Sequence, residues 1–441
     1  MNNRQKTALI LLGHGSHISP NTAGVVWDAV DNLRHMGIAD EITGAFWKEQ
    51  PHFRTVLSSI SATDITLVPL FTAQGYFTQT VIPTEMNLNG QITNQGEKII
   101  RYAQPPVYHL KIQQIVQARV DDAIRQYQLM PSDVGIAIIG HSTRKNASSR
   151  QSTEYQAGIL QQKGIYGSVI TAFLDDDPPI ISIYERIDQP TIIAIPLFLA
   201  MGSHTTIDVP EAMLLPPNCN YAYVNNKQVI YTPAIGDNND LTDLICDLAR
   251  DVGAPLYNPH PPKSAWDYFP RGGWEAFQTR LMHDKSLIIG DLFITIDGVR
   301  VVDDDQATTI ITSPAMLRKL IRENPFRPLM TAKGLPKGWF APASSVDEVC
   351  AIIETVYPAL ISHLFVDENY QTTPINQTIR RQTGIYRQLV NLDTTMMHII
   401  TDEICGDCIR QPTWHNHRAS PIACDEACNW WLSHALEKVE N

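Results

Sequence analysis

Between residues 140 and 211 this sequence sets two histidines and an aspartate in contexts suited to metal and proton chemistry. His141 stands in Gly140-His141-Ser142-Thr143-Arg144-Lys145, and Asp175 in Ala172-Phe173-Leu174-Asp175-Asp176-Asp177-Pro178. His204 closes the run Pro196-Leu197-Phe198-Leu199-Ala200-Met201-Gly202-Ser203-His204 and is followed by Asp208-Val209-Pro210-Glu211. Neutral imidazole binds first-row divalent metals and titrates near physiological pH. His141 and His204 therefore suit the capture of an incoming divalent ion or of the protons it displaces, with Asp175 supplying compensating charge. Arg144, Lys145 and Arg150 follow His141 closely and suit pairing with carboxylates on a ligand. Near the end of the chain, Cys405-x-x-Cys408 and Cys424-x-x-x-Cys428 flank a loop containing Pro412 and Pro421. Four thiolates so spaced can close on a structural zinc or on the four irons of a cubane cluster, and spacing by itself favours zinc. Cys219, Cys246 and Cys350 have no partner at motif spacing and read as buried or incidental thiols.

The elements that must position these groups are written twice. Sliding the sequence over itself by 127 residues, without a gap, lays Gly13-His14 on Gly140-His141 and Ala45-Phe46 on Ala172-Phe173. The same register lays Pro51 on Pro178, Pro69-Leu70-Phe71 on Pro196-Leu197-Phe198, and Gly75, Thr78, Pro83 and Met86 on Gly202, Thr205, Pro210 and Met213. So long a single register implies a duplicated domain. Each copy reads as strand, loop, helix, strand, helix, strand. Ala8–Leu12 and Ile136–Ile139 are continuous apolar runs of the kind buried parallel strands show, each ending at a Gly-His. Thr66–Pro69 and Thr191–Pro196 are further buried strands, each running into a Gly-containing loop. Ligands of open α/β sheets bind outside the carboxyl ends of the strands, so the histidines and both loops are expected on that edge. The copies differ there: Phe77 stands where the second copy has His204, and Lys48 where it has Asp175, while His14 is retained.

Composition limits the partners. The 441 residues carry a formal net charge of -12, which leaves no basic surplus for nucleic acid. The first apolar run, Ala8 to Leu12, is too short for a secretory signal, and no stretch approaches the roughly 20 apolar residues of a membrane span. A cytoplasmic protein with reduced thiols is expected. The Gly13-x-Gly15 fragment lacks the acidic ribose partner that a dinucleotide-binding loop requires.

Pro255-Leu-Tyr-Asn-Pro-His-Pro-Pro262 marks a change of region. Beyond it, Leu287–Thr295, Asp297-Gly298 and Val299–Val302 give the strongest hairpin signal in the chain. Ser313-Pro314 starts a short helix, and Ser345-x-x-Glu348 is a capping-box start for another that runs to about Tyr357. The expected organisation is lobe 1 over 1–128, lobe 2 over 129–252, an accessory α+β domain over 263–385 and a helical, four-cysteine metal-binding tail over 386–441.

Gly-His-Gly-Ser after the first strand, Phe-Leu-acid-x-x-x-Pro, and Pro-Leu-Phe-Leu-x-x-Gly-x-His-x-x-x-Asp-Val-Pro resemble the sirohydrochlorin chelatases over about residues 7–215. These are the cobalt- and iron-inserting enzymes of the cobalamin and sirohaem pathways. The resemblance implies an α/β fold of two tandem flavodoxin-like, chelatase-like lobes with parallel sheets. It also implies insertion of Co²⁺ or Fe²⁺ into a sirohydrochlorin-like tetrapyrrole. Carried over, the family's catalytic histidines correspond to His141 and His204, and its acidic residue, more often Glu, to Asp175. Long bacterial forms usually keep the catalytic pair in the first half. This chain departs from that pattern and leaves His14 either lining the same cleft or vestigial. Resemblance to long chelatases with C-terminal cysteine motifs favours a [4Fe–4S] cluster over zinc in the tail. Arg144, Lys145 and Arg150 would then meet the macrocycle's acidic arms. The alternative is a non-catalytic tetrapyrrole- or metal-binding protein with a redox-sensing cluster. A chain containing both lobes does not need to become a homo-oligomer to form a cleft.

Overall fold

The structure, a computed structural model, describes residues 5–15, 21–143, 147–199, 204–236, 240–304, 307–323, 335–365, 375–380, 382, 384–405, 408 and 427–440. The chain separates into two compact units. The first comprises residues 1–13, 21–33 and 62–258; the second comprises 14–20, 34–61 and 259–441.

In the first unit β1 (Thr7–Gly13), β3 (Asp64–Pro69) and β5 (Lys98–Tyr102) are parallel neighbours in that order, with β4 (Ile92–Gln95) antiparallel to β5. β2 (Glu41–Phe46) is the counterpart of β7 in the repeat. The second copy repeats the plan with β6 (Val134–Thr143), β7 (Ser168–Asp175), β8 (Thr191–Pro196), β9 (Tyr221–Val224) and β10 (Lys227–Tyr231), ordered β7-β6-β8-β10-β9. β6 lies between two parallel partners, and β9 alone is antiparallel. β1, β3 and β8 are buried along their whole length, which explains their unbroken apolar sequences. The lobes of this unit meet through a buried bond, from Gln156 to the Val107 carbonyl at 2.8 Å, and a half-buried one, from Arg119 to that of Ala234 at 3.2 Å.

Each copy also contains a hairpin, β4–β5 and β9–β10, ahead of its last helix. β4 turns at Gly96 (φ 59°) and β9 at Asn225-Asn226 (φ 49° and 62°), positive-φ residues of the kind two-residue hairpins demand. These hairpins follow an offset of 129, not 127, so a two-residue insertion in the second copy precedes them.

The second unit holds a sheet ordered β11-β12-β13-β15-β14, from β11 (Ser286–Ile289), β12 (Leu292–Thr295), β13 (Gly298–Val301), β14 (Thr309–Ile310) and β15 (Trp339–Pro342). The run Leu287–Thr295, expected as one strand, is two: the chain reverses at Gly290, where φ is 59°, and Ile289 pairs with Leu292. Glycine enters that left-handed conformation without the Cβ clash other residues meet. The expected helices form at Pro314–Glu323 and Val346–Val356, and Ser345 Oγ accepts from the Glu348 amide at 3.3 Å. Their apolar faces enclose Phe277, Trp339 and Tyr357 with the sheet. Cys350 is buried there and Cys246 in the first unit; burial lifts both thiols, Cys246 to about 11, so neither is a thiolate at neutral pH. Among the described residues no helix is long and apolar enough to cross a membrane.

Gly290→Ala is expected to destabilise the full chain by about 1 kcal/mol, since an L residue must take the left-handed conformation. Gly290→Asn should cost less. Thermal unfolding of the three proteins side by side reads the order.

Candidate functional site

The second copy's site is built where β6 outruns its regular pairing. The strand is in register with β7 to Gly140, bulges, and meets it again at Thr143 opposite Asp175. Gly140 must be glycine here: a Cβ would stand 2.2 Å from Thr153 Oγ1 on the helix Ala147–Gln162, so the strand can lie against that helix only without one. Ser142 follows with φ 33° and is fully buried. Two hydrogen bonds hold it there: its amide donates to Ser149 Oγ at 3.2 Å, and its hydroxyl to Asp176 Oδ2 at 2.9 Å. The reversal between them leaves His141 facing β7, with Nε2 3.3 Å from Asp175 Oδ2. The pair is solvent-accessible, at 36% and 56% side-chain exposure, so it is open to an incoming ion and its Coulomb attraction is screened.

Arg150, expected to meet a ligand's carboxylate, is engaged by protein acids. Its Nη2 donates to Asp176 Oδ2 at 2.7 Å and to the Asp177 carbonyl, and the guanidinium lies 4.3 Å from the Phe173 ring centroid. The bond from Arg150, followed by those from the Asp177 amide and Ser142, holds the Asp176 carboxyl below the ordinary carboxylate range. Arg150 thus fixes the loop that carries Asp175.

His204 opens a π-helical turn, His204–Asp208, after β8. The order β7-β6-β8 therefore brings Asp175, His141 and His204 to the carboxyl ends of three adjacent strands. Beside this turn lies a cavity of about 510 Å³ whose lining includes Thr205, Thr206, Glu211, Asn218, Cys219 and Tyr231. Arg144 and Lys145 lie outside the described residues.

In the first copy the corresponding π-turn is Phe77–Val81, and Phe77 stacks on Phe71 with centroids 5.6 Å apart and planes 13° apart. His14 belongs to the second unit, as does Lys48. The His14 ring touches solvent but is crowded by protein, and the resulting desolvation lowers its basicity; the Gly15 carbonyl, 2.9 Å from Nδ1, opposes this and the Lys48 charge reinforces it. Burial brings Lys48 down to about 8, and its ammonium lies 4.9 Å from the Tyr386 ring centroid. A cation over an aromatic face has thus taken the place of the second copy's aspartate.

In the tail, Cys405 ends the helix Thr394–Cys405, and the Cys408 amide donates back to the Cys405 carbonyl at 3.2 Å. Cys428 precedes the helix Asn429–Glu440, where its Sγ accepts from the Trp431 amide at 3.3 Å. Cys405 and Cys428 pack against the same apolar core around Trp431 and Ile400. Cys424 lies outside the described residues. Among the described residues no three His, Cys, Asp or Glu side chains converge as a metal-binding group.

Comparison with known proteins adds independent findings. The CbiX family profile matches residues 8–123 and 135–252, and that of the DR2241 stabilising domain matches 273–368. A probable sirohydrochlorin cobaltochelatase of Halobacterium salinarum is 31% identical over 271 residues, spanning 56% of this chain and 92% of that protein. A sirohydrochlorin cobaltochelatase of Methanococcoides burtonii is 30% identical over 132 residues, 28% of this chain and 99% of that protein. DR2241 of Deinococcus radiodurans, described as a multi-domain protein with structural similarity to chelatases and two additional novel domains, superposes with a TM-score of 0.76 over 99% of both chains at 22% identity. That likeness establishes the shared fold.

The depressed Asp176 carboxyl has a pH consequence. Its folded pKa lies below the unfolded value of about 3.9, so its contribution to stability is present above that value and is lost as pH falls through the folded pKa. Asp176→Asn should therefore lower the melting temperature at pH 6–7 and narrow its gap to the wild-type below about pH 4. A gap independent of pH would contradict the Arg150–Asp176 assignment.

Proposed function

Because the chain belongs to the CbiX family along both of its copies, we propose that it inserts a divalent metal, cobalt or iron, into sirohydrochlorin. The observation that carries this reading is the sheet order β7-β6-β8, with Asp175 and His141 paired at the carboxyl ends of β7 and β6 and the turn that begins at His204 following β8. A distorted macrocycle is held at this edge while M²⁺ enters and two pyrrole protons leave, which balances charge. His141 and His204 ligate the arriving metal as neutral imidazoles and accept the displaced protons. Asp175, 3.3 Å from His141 Nε2, stabilises the imidazolium that forms. Arg144 and Lys145 meet the acidic arms of the macrocycle, while Arg150, engaged by Asp176, holds the loop beside them. Residues 1–128 and 129–252 are the chelatase lobes, 263–385 a stabilising region and 386–441 the metal-binding tail of a cytoplasmic protein.

Cys405, Cys408, Cys424 and Cys428 would hold a [4Fe–4S] cluster in that tail. The described part of the set fits: the Cys405–Cys408 turn and Cys428 flank two helices that share one core, and the Trp431 amide donates to the Cys428 sulfur. When bound, such a cluster supplies a one-electron redox centre and ties the tail together.

Anaerobically purified protein given sirohydrochlorin with Co²⁺ or Fe²⁺ is expected to consume the absorbance of the free macrocycle. His141→Ala and His204→Ala should each slow insertion by on the order of 100-fold or more, as loss of a proton acceptor does. Full activity in His204→Ala, or tight macrocycle binding without insertion by the wild-type, would sink the reading. A colourless protein containing zinc would remove the cluster.

A further inference from the structure

The turn that carries His204 has a gap in its own hydrogen bonding, and the chain closes it twice. In the i→i+5 register of a π-turn, the Thr205 carbonyl would be met by the N–H of residue 210. That residue is Pro210, which has none. The first copy repeats the arrangement: Thr78 is the second residue of its π-turn, and the residue five further on is Pro83. In both copies a tyrosine from the last parallel strand supplies the missing donor. The Tyr231 hydroxyl donates to the Thr205 carbonyl at 2.9 Å, and the Tyr102 hydroxyl to the Thr78 carbonyl at 2.8 Å. Thr205 and Thr78 are 3% and 4% exposed, so water gives these carbonyls little help. Burial raises both phenols well above their usual range, so each keeps its proton and remains a donor at physiological pH.

We propose that Tyr231 is a positioning residue for metal insertion: by capping the carbonyl next to His204 it holds the backbone of the turn that presents that histidine. Tyr102 is the same clamp on a turn that presents Phe77, where no imidazole remains to be placed. The duplication thus supplies an internal control, two equivalent hydrogen bonds of which one alone bears on a catalytic side chain. A merely structural role predicts equal consequences from losing either; a positioning role predicts unequal ones. The inference rests on the proposed participation of His204.

The test compares Tyr231→Phe with Tyr102→Phe in the full chain. Both should lower the melting temperature by similar amounts. Tyr231→Phe should reduce kcat for Co²⁺ insertion by on the order of tenfold, with KM for the macrocycle unchanged, the scale expected when a reacting group drifts by a fraction of an ångström. It should also weaken Co²⁺ binding, read from the d–d absorption of the ion titrated in without macrocycle. Tyr102→Phe should leave kcat and Co²⁺ binding at wild-type values. In a Pro210→Ala background, where an N–H returns, the Tyr231→Phe penalty should shrink. Equal effects of the two tyrosine variants on kcat and Co²⁺ binding, or no effect of Tyr231→Phe on either, would overturn the assignment. If the wild-type inserts no metal, the chelatase reading fails by itself, and the Co²⁺ titration still decides whether Tyr231 and Tyr102 differ.

Discussion

Parallel pairing of β6 with both β7 and β8 is the constraint from which the second lobe's site follows. Three parallel strands in one sheet must release their chains at one edge, so residues far apart in sequence, such as Gly140 and Phe173 or Ile139 and Pro196, arrive side by side. Burial of the strands makes that edge rigid: Ile136, Ile138, Ile192 and Ile193 are wholly shielded from water, with both faces of the sheet covered. The loops at the edge are free to carry chemistry because the strands beneath them are not free to move.

Local departures from regularity then aim the side chains. At β6 the departure is a bulge, made by a glycine pressed against Thr153 and a buried serine held in a left-handed conformation by Ser149 and Asp176. At β8 it is a π-turn ended by a proline and capped by a tyrosine from β10. Neither device touches the metal chemistry itself. Each lies next to a histidine in the chain, and each is held by polar groups shielded from water, whose loss would be costly. Arg150 belongs with them, since its guanidinium ties together Asp176 and the Asp177 carbonyl beneath the His141–Asp175 pair.

The two copies show how a duplicated fold diverges without losing its frame. Strand burial, π-turn, proline and tyrosine clamp recur in both, because each is demanded by the sheet and the turn. What changed lies at the exposed edge, where Phe77 stacks on Phe71 and Lys48 faces Tyr386. A phenyl ring and an ammonium thus stand where the second copy has an imidazole and a carboxylate, while the strands beneath stay buried in both copies.

The sequence by itself determined the duplication, the buried parallel strands and the candidate residues, because each is a matter of residue type and spacing: apolar runs, Gly-His at their ends, and one register of 127. It also marked the helix starts at Pro314 and Ser345, whose capping chemistry is local. It misjudged Leu287–Thr295 as one strand, although Gly290-Asp291 is a two-residue turn signal within it, because the apolar residues on either side read as one continuous run. The β4–β5 and β9–β10 hairpins escaped notice because their offset shifts to 129. Tertiary structure alone decided the rest. The engagement of Arg150 by Asp176, the pairing of His141 with Asp175 and the reach of Tyr231 to Thr205 join residues 26 to 34 positions apart, across strands and loops. Whether two such groups meet depends on strand order and on a bulge or turn of a single residue, and no one-dimensional pattern encodes either.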